Sequence, residues 1–458
     1  MNLNNKTFTV IGLNKTGIPV TKYLAKKGAR VIASDIKKAN EIQDKISQLK
    51  NFDIEFDLGG HSSKSLNTDI IVVSPGVPLD LPFFKEAKKN NIPIISEIEL
   101  AYRMTEANIV GITGTNGKTT TTSLLGEILN NSYLAPVPVA GNIGTPLIEK
   151  IENLTEDNWL VAEISSFQLE TIKKFRPDIS LFLNFSPDHL DRHGSLEKYY
   201  SAKKNIFINQ NKNDKAIINI DNKFVKKAAD DIQAEIFEIS LKKEVKKGMF
   251  FKNNSLFARI NGIKKEIINI NDINIKGKHN LYNTAFAVLT ALILDVSSDK
   301  IISTCQNFKA DKHRMEYLAS LDDATIFIDD SKATNPHATI NALQTINKNI
   351  ILIAGGEDRK LDFEELAKEI KQQVKHVILI GQTKEKIAKV LKNIGFYNFE
   401  LADDMREAVS YAVKNLDRGD CLLLSPACPS WDMYESYKKR GQDFLNELKR
   451  WDLLADRK

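Results

Sequence analysis

The chain has 458 residues, with 64 Lys+Arg against 59 Asp+Glu for a formal charge of +5, and 42% hydrophobic and 27% charged residues. At about 150 residues per domain this is roughly three domains' worth of chain, each able to bury a core, and neither wholesale disorder nor a collagen-like repeat fits it. So small a charge demands no nucleic acid and no anionic membrane, and no apolar run has the ~20 residues that span a bilayer. No succession of basic, apolar and small residues precedes the first strand, so a secretory signal is not expected. Cys305, Cys421 and Cys428 show no metal or disulfide spacing; buried thiols in a reducing cytoplasm are expected.

Short apolar runs rich in β-branched residues alternate with helical patterns, which predicts parallel α/β sheets. The first strand, Phe8–Leu13, leads into the turn Gly12-Leu13-Asn14-Lys15-Thr16-Gly17. A helix follows with Pro19 in its first turn and Gly28 just past its end, then a second strand, Val31–Asp35. Asp35 stands about where a dinucleotide fold places its ribose carboxylate, but Asn14 replaces the middle glycine of GxGxxG. A nucleotide-binding turn and a purely structural turn both stay open here. Ile70–Ser74 is the next strand.

The pattern restarts at Ile109–Thr113, which puts one domain boundary near residue 100. Gly111-Ile112-Thr113-Gly114-Thr115-Asn116-Gly117-Lys118-Thr119-Thr120 then joins a strand to a helix over Thr119–Leu129. Backbone N–H groups at a helix start favour an anion, Lys118 can reach phosphates, and the Thr119 hydroxyl can ligate magnesium. A strict P-loop would have glycine where Ile112 stands, so the motif is a variant.

Glu163 closes the apolar strand Leu160–Ile164, where an acid is costly unless it is paired or metal-bound. The strand Ser180–Phe185 leads to His189, set among acids in Ser186-Pro187-Asp188-His189-Leu190-Asp191. Glu163 and His189 thus end consecutive strands. From Ser195 the apolar stripe runs through Leu196, Tyr199 or Tyr200, Ile206 and Phe207, and Lys203 occupies its missing turn. Desolvation lowers a lysine pKa, and a neutral amine can take up CO₂ as a carbamate; a lysine merely covering apolar surface is the equal alternative. Lys204 is expected to be exposed.

Ala216–Ile220 is a further strand, and Asn222–Asn274 reads as peripheral strands and hairpins. A second boundary is expected near residue 310, followed by strands at Ile350–Ala354, His376–Gly381 and Cys421–Ser425.

The combination resembles the Mur ligases, cytoplasmic ATP-dependent amide-forming enzymes of peptidoglycan precursor synthesis, over essentially the whole chain. The resemblance rests on Gly114-Thr115-Asn116-Gly117-Lys118-Thr119, Glu163-Ile164-Ser165-Ser166-Phe167-Gln168-Leu169-Glu170, Asp330-Ser331-Lys332-Ala333-Thr334-Asn335 and Ser425-Pro426-Ala427-Cys428 with Ser430. The member it most resembles adds D-glutamate to UDP-N-acetylmuramoyl-L-alanine. The resemblance implies three domains: a Rossmann-like one at 1–99 for the uridine substrate, a central P-loop ATPase-like parallel sheet at 100–309, and a Rossmann-like amino-acid-binding and closure domain at 310–458.

It also implies residue roles. Gly114 to Thr121, including Thr115, Asn116, Gly117, Thr119 and Thr120, surround the ATP phosphates, with Asn280 and Asn283 on the adenine side. Arg314, Asp330 and Lys332 match residues that close over ATP. Two magnesium ions are implied, one near Thr119 and Glu163 and one near His189 and a carbamylated Lys203. Lys15, Thr16 and Asp35 fall on the uridine nucleotide, and Asn142, Ser165 and Gln168 near the muramoyl-alanine arm. Arg359 and Tyr437 fall around the incoming glutamate, with Arg359 standing where the family usually has a lysine and Lys360 as its alternate, and Thr334 and Ser430 are implied as further substrate-binding residues. A monomer working on small-molecule substrates, without nucleic acid or membrane insertion, is the expectation. The rivals are another amino-acid-adding ligase or folylpolyglutamate synthase, and a P-loop ATPase without ligase chemistry.

Overall fold

The computed structural model describes residues 1, 3, 5–133, 135–309, 312–321, 324–346 and 348–453. Its strands form three sheets of five, nine and six strands, so the α/β expectation holds. Residue 310, the expected second boundary, lies outside the described residues.

The five-stranded sheet is all parallel, in the spatial order Ile54–Leu58, Arg30–Asp35, Thr7–Ile11, Ile70–Val73, Ile94–Ser96. Strand order reverses between Thr7–Ile11 and Ile70–Val73, the point at which open α/β sheets leave a ligand crevice. Both strands are almost wholly buried, and Ile70–Val73 is an unbroken Ile/Val run, as suits strands covered on two faces. The turn after Thr7–Ile11 is tight: the Ser74 hydroxyl donates to the Gly12 carbonyl at 2.7 Å. A Cβ on Gly17 would lie 1.9 Å from the Gly12 oxygen, so only glycine fits there.

In the nine-stranded sheet Asn108–Thr113 lies between Ile179–Phe182 and Trp159–Glu163, parallel to both. The strands ending near Glu163 and His189 are therefore consecutive in the chain but not neighbours in the sheet, because the loop-bearing strand separates them. The stretch expected as peripheral hairpins extends one edge of this sheet: Gly248–Lys252, Ser255–Ile260 and Ile263–Asn269 pair antiparallel in succession. The six-stranded sheet is parallel except for Glu316–Leu321 against Thr325–Asp329. Its central strands Ile350–Gly355 and Cys421–Leu424 are wholly buried.

Chain contacts define two compact units: 1–185, 197–273 and 282–306 in the first, and 186–196, 274–281 and 307–458 in the second. The first two sheets share one unit, and the helix Glu97–Met104 shows why. Glu97 and Glu99 are both fully buried. Glu97 accepts from the Ile148 N–H at 2.7 Å, and Glu99 accepts from the N–H groups of Lys173, Lys174 and Phe175 and from Arg103. An acid inserted into the neighbouring backbone in this way locks the connecting helix, since removing it strands several buried donors. Nothing in the sequence reading singled out these two acids.

All three cysteines are buried as expected, and burial pushes each thiol up to about 12. Among the described residues, no helix is long and apolar enough to cross a membrane.

Candidate active site

The phosphate-loop helix begins at Lys118 and runs to Asn130, with Gly117 as its N-cap at a left-handed φ of 83°. A Cβ on Gly117 would meet the Asn283 side-chain oxygen at 2.2 Å, so glycine is required both by conformation and by space. The loop is braced from the next strand's exit. The Asn184 carbonyl accepts from the Thr115 N–H at 3.0 Å, its side-chain oxygen accepts from the Asn116 N–H at 2.9 Å, and its amide returns a bond to the Asn116 carbonyl at 2.9 Å. Asn184 was not among the predicted site residues; its asparagine-to-asparagine pairing is visible only in three dimensions.

Two lysines converge on the loop. The Gly114 carbonyl accepts from Lys118 Nζ at 2.9 Å and from Lys203 Nζ at 2.8 Å, and Lys118 also donates to the Thr115 carbonyl at 2.8 Å. Lys203 is 1% exposed, and its Nζ sits 4.8 Å from the centre of the Tyr199 ring. The stripe that placed Lys203 on the buried face of its helix is thus observed in Leu196–Lys204, where Tyr199, Ala202 and Lys203 are the buried positions. Two ammonium groups and the N–H groups of a helix start make this loop strongly attractive to an anion. Lys204 is partly covered and pairs with Asp231 at 2.8 Å, so it faces solvent more than core. Thr119 is half-buried beside the loop, and the buried Thr120 and Thr121 hydroxyls make no hydrogen bond among the described residues.

Glu163 pairs in register with Ile112, one strand over from the loop. It is 2% exposed; its Oε1 accepts from Asn142 Nδ2 at 2.7 Å, while its Oε2 is buried with no hydrogen-bond partner among the described residues. A buried carboxylate oxygen left this way is expensive in isolation and suits a cation. With the Thr119 hydroxyl, these residues fit magnesium. Lys203 fits a carbamate in part: a carbamate keeps one N–H for the Gly114 carbonyl, whereas the Tyr199 face favours the protonated amine.

Ser165 and Gln168, predicted near the substrate arm, form a capping box on Ser166–Leu169. Gln168 Oε1 accepts from the Ser165 N–H at 2.9 Å and its hydroxyl at 2.8 Å, and Ser165 Oγ accepts from the Gln168 N–H at 3.3 Å. Asp35 likewise spends its oxygens locally, accepting from the Leu13 N–H at 2.7 Å and the Lys37 N–H at 3.0 Å, which ties the first turn to the second strand. Lys15 is exposed and Thr16 half-buried in that turn. Near it the structure adds His61, whose Nδ1 lies 2.7 Å from Ser34 Oγ and whose pKa burial lowers; no motif marked it.

In the second unit His189 takes a left-handed φ of 51° at the start of Leu190–His193. Its Nδ1 is 2.9 Å from Arg359 Nη1. A guanidinium only donates, so Nδ1 carries the lone pair and a neutral ring holds its proton on Nε2. Asp188 Oδ1 accepts from the His189 N–H at 2.8 Å, and Asp188 Oδ2 accepts from Asn335 Nδ2 at 3.1 Å. Arg359 also donates from Nε to Glu357 at 3.3 Å and stacks 4.8 Å from the Trp431 ring, whereas Lys360 is exposed.

Asp330 is buried, held by the Ser425 hydroxyl at 2.8 Å and the Met315 N–H at 3.2 Å, and burial raises its pKa to about 7 against the opposing pull of Ser425 and Arg314. The Arg314 Nε is buried without a hydrogen bond among the described residues. Lys332 Nζ stacks 5.8 Å from the Tyr437 ring. Asn280 donates to the Lys276 carbonyl at 2.8 Å. Ser430 is buried and Thr334 half-buried. His313, Glu316 and Asp329 cluster closely, but His313 Nδ1 is bonded to Asp329 at 2.6 Å and Glu316 accepts from the His313 N–H at 2.7 Å, so the three satisfy one another.

A nucleotide-type crevice, a lysine-rich phosphate loop and a buried carboxylate with an open oxygen define an ATP-handling α/β protein. The chain belongs to the Mur ligase family: the Mur ligase middle domain matches residues 112–291, the Mur ligase glutamate ligase domain 313–428, and the Mur ligase MurD-like N-terminal domain 6–96. It is 44% identical over 454 residues to the UDP-N-acetylmuramoylalanine–D-glutamate ligase of Clostridioides difficile, covering 98% of this chain and 100% of that one. The protein of the same name from Alkaliphilus oremlandii is 43% identical, covering 97% and 98%. Among solved structures, MurF from Acinetobacter baumannii superposes with a TM-score of 0.63 at 17% identity, covering 96% of this chain and 93% of that one. UDP-N-acetylmuramate-alanine ligase MurC from Thermotoga maritima gives 0.60 at 19% identity, covering 98% and 100%.

Proposed function

We propose that this chain is the ATP-dependent ligase that joins D-glutamate to UDP-N-acetylmuramoyl-L-alanine in peptidoglycan precursor synthesis. What carries the reading is the near-full-length 44% identity to a ligase of that name, together with a phosphate loop that concentrates two lysines on one carbonyl. Folylpolyglutamate synthesis and plain ATPase activity are less well supported.

A carboxylate is a poor acyl donor and must be activated. Its oxygen attacks the γ-phosphorus of ATP, the bond to the β-phosphate oxygen breaks, and an acyl phosphate and ADP result. The D-glutamate amine then attacks the acyl carbon, loses a proton, and inorganic phosphate leaves. The first step brings two anions together, so charge neutralisation dominates. Lys118, by exchanging loop carbonyls for phosphate oxygens, supplies part of it, and the helix start at Lys118 receives the phosphates. Bound magnesium supplies the remainder, with Thr119 and Glu163 as the residues that would hold it. A carbamate on Lys203 belongs to the same reading. Arg359 takes a carboxylate of the incoming amino acid.

In this scheme residues 1–99 take the uridine nucleotide, 100–309 ATP, and 310–458 the amino acid, in a cytoplasmic monomer. The test is phosphate release with UDP-N-acetylmuramoyl-L-alanine against a panel of D- and L-amino acids. Release that requires both the nucleotide substrate and D-glutamate is expected. Preference for another amino acid, or ATP hydrolysis independent of both, would overturn the assignment.

A further inference from the structure

A guanidinium recognises a carboxylate well only when its planar fork is held still. The Arg359 side chain is 11% exposed and held on three sides: Nε donates to Glu357, Nη1 donates to His189, and one flat face lies on Trp431. Nη2 is the guanidinium nitrogen that makes no hydrogen bond among the described residues. Trp431 itself is 64% exposed, so its indole puts one face on the cation and the rest into water.

The backbone explains why these two side chains meet. The Glu357 N–H donates to the Pro429 carbonyl at 3.0 Å and the Gly355 N–H to the Pro426 carbonyl at 2.7 Å, which zips the two loops together. Buried Arg440 donates to the carbonyls of Cys428 and Pro429, and Asp432 accepts from the Gln382 N–H. The loop bearing Trp431 is thus anchored by contacts that do not involve the indole.

Glu357 and Trp431 brace the arginine differently. A carboxylate brace uses up an N–H and competes for charge with any incoming carboxylate. An aromatic face attracts the cation and consumes no donor.

We propose that Trp431 is a positioning residue for the amino-acid substrate, its indole fixing the Arg359 fork so that the open Nη2 edge receives a carboxylate of the incoming dicarboxylic amino acid. This rests on the placement of Arg359 at the glutamate under the proposed function. The test is steady-state kinetics of the full-length enzyme with Trp431→Ala, Trp431→Leu and Trp431→Phe. For Ala and Leu, KM for D-glutamate rises about fivefold, the worth of a cation–π contact whose ring stays largely in water. kcat and the KM values for ATP and the uridine nucleotide stay near wild type, while Phe recovers most of the loss. A wild-type KM for D-glutamate in Trp431→Ala, a loss confined to kcat, or Phe no better than Leu would overturn the proposal. Melting temperatures separate misfolding, and the Phe-to-Leu ratio decides the matter even if Ala is unstable. Failure of the functional reading itself shows earlier, as a wild-type enzyme that does not require D-glutamate.

Discussion

Replacing Gly117 by alanine strikes the phosphate loop at its most constrained residue. The backbone there has φ 83°, a left-handed conformation that costs an L-residue about 1–2 kcal/mol. The new methyl would also sit 2.2 Å from the Asn283 side-chain oxygen, far inside contact distance, so that side chain must move. Asn283 is 3% exposed, and disturbing a buried polar group costs about 1–3 kcal/mol more. The folded state should therefore lose about 2–5 kcal/mol in total, and the loop should lose the shape that receives phosphates. ADP release and thermal unfolding, measured side by side, read the two effects. We expect a lowered melting temperature with ATP turnover reduced about 100-fold. The double variant Gly117→Ala/Asn283→Ala removes the collision but not the φ strain, so it should regain part of the stability and little of the activity. A Gly117→Ala protein with wild-type melting and an unchanged KM for ATP would refute both the cap geometry and the role assigned to the loop.

Lys203→Ala should lose about 100-fold or more in ligase rate, with partial recovery on adding a short-chain carboxylic acid; full activity in the variant would remove the carbamate role. For Glu97, burial raises the pKa from about 4.5 to about 7. Its protonated form is favoured on folding, so its contribution to stability is complete below pH ~4.5 and is lost as pH rises through ~7. Glu97→Gln mimics the protonated acid, and its stability relative to wild type should grow between pH 5 and 8 by up to about 3 kcal/mol. A difference independent of pH, measured by urea denaturation, would contradict this.

Much of the fold was readable because it depends on local pattern. The buried Val and Ile runs predicted the strands on either side of the phosphate loop, and the helical stripe put Lys203 on a buried face before any contact was known. Residues whose role depends on a distant partner were not readable in this way. Glu97 and Glu99 look like ordinary solvent-facing acids in a short helix until the backbone at 148 and 173–175 is brought against them. Arg359 stood out only as a departure from a familiar pattern; that it would be braced by His189 and Trp431 needed the loops at 357 and 429 to be zipped together. Ser165 and Gln168 carried a visible S-x-x-Q signal for a helix cap, and the structure shows that cap. Asp35 reads two ways. A carboxylate at a strand end can serve a ribose, and here it first serves the turn beneath it.

Burial of every cysteine has a practical side. A thiol reacts with alkylating dyes and oxidants as its thiolate, and at a pKa of about 12 that form is nearly absent at neutral pH. The protein should therefore tolerate air and maleimide reagents without first being stripped of its native cysteines. One cysteine introduced at an exposed position then becomes a near-exclusive attachment point for a fluorophore or spin label, leaving the wild-type core untouched.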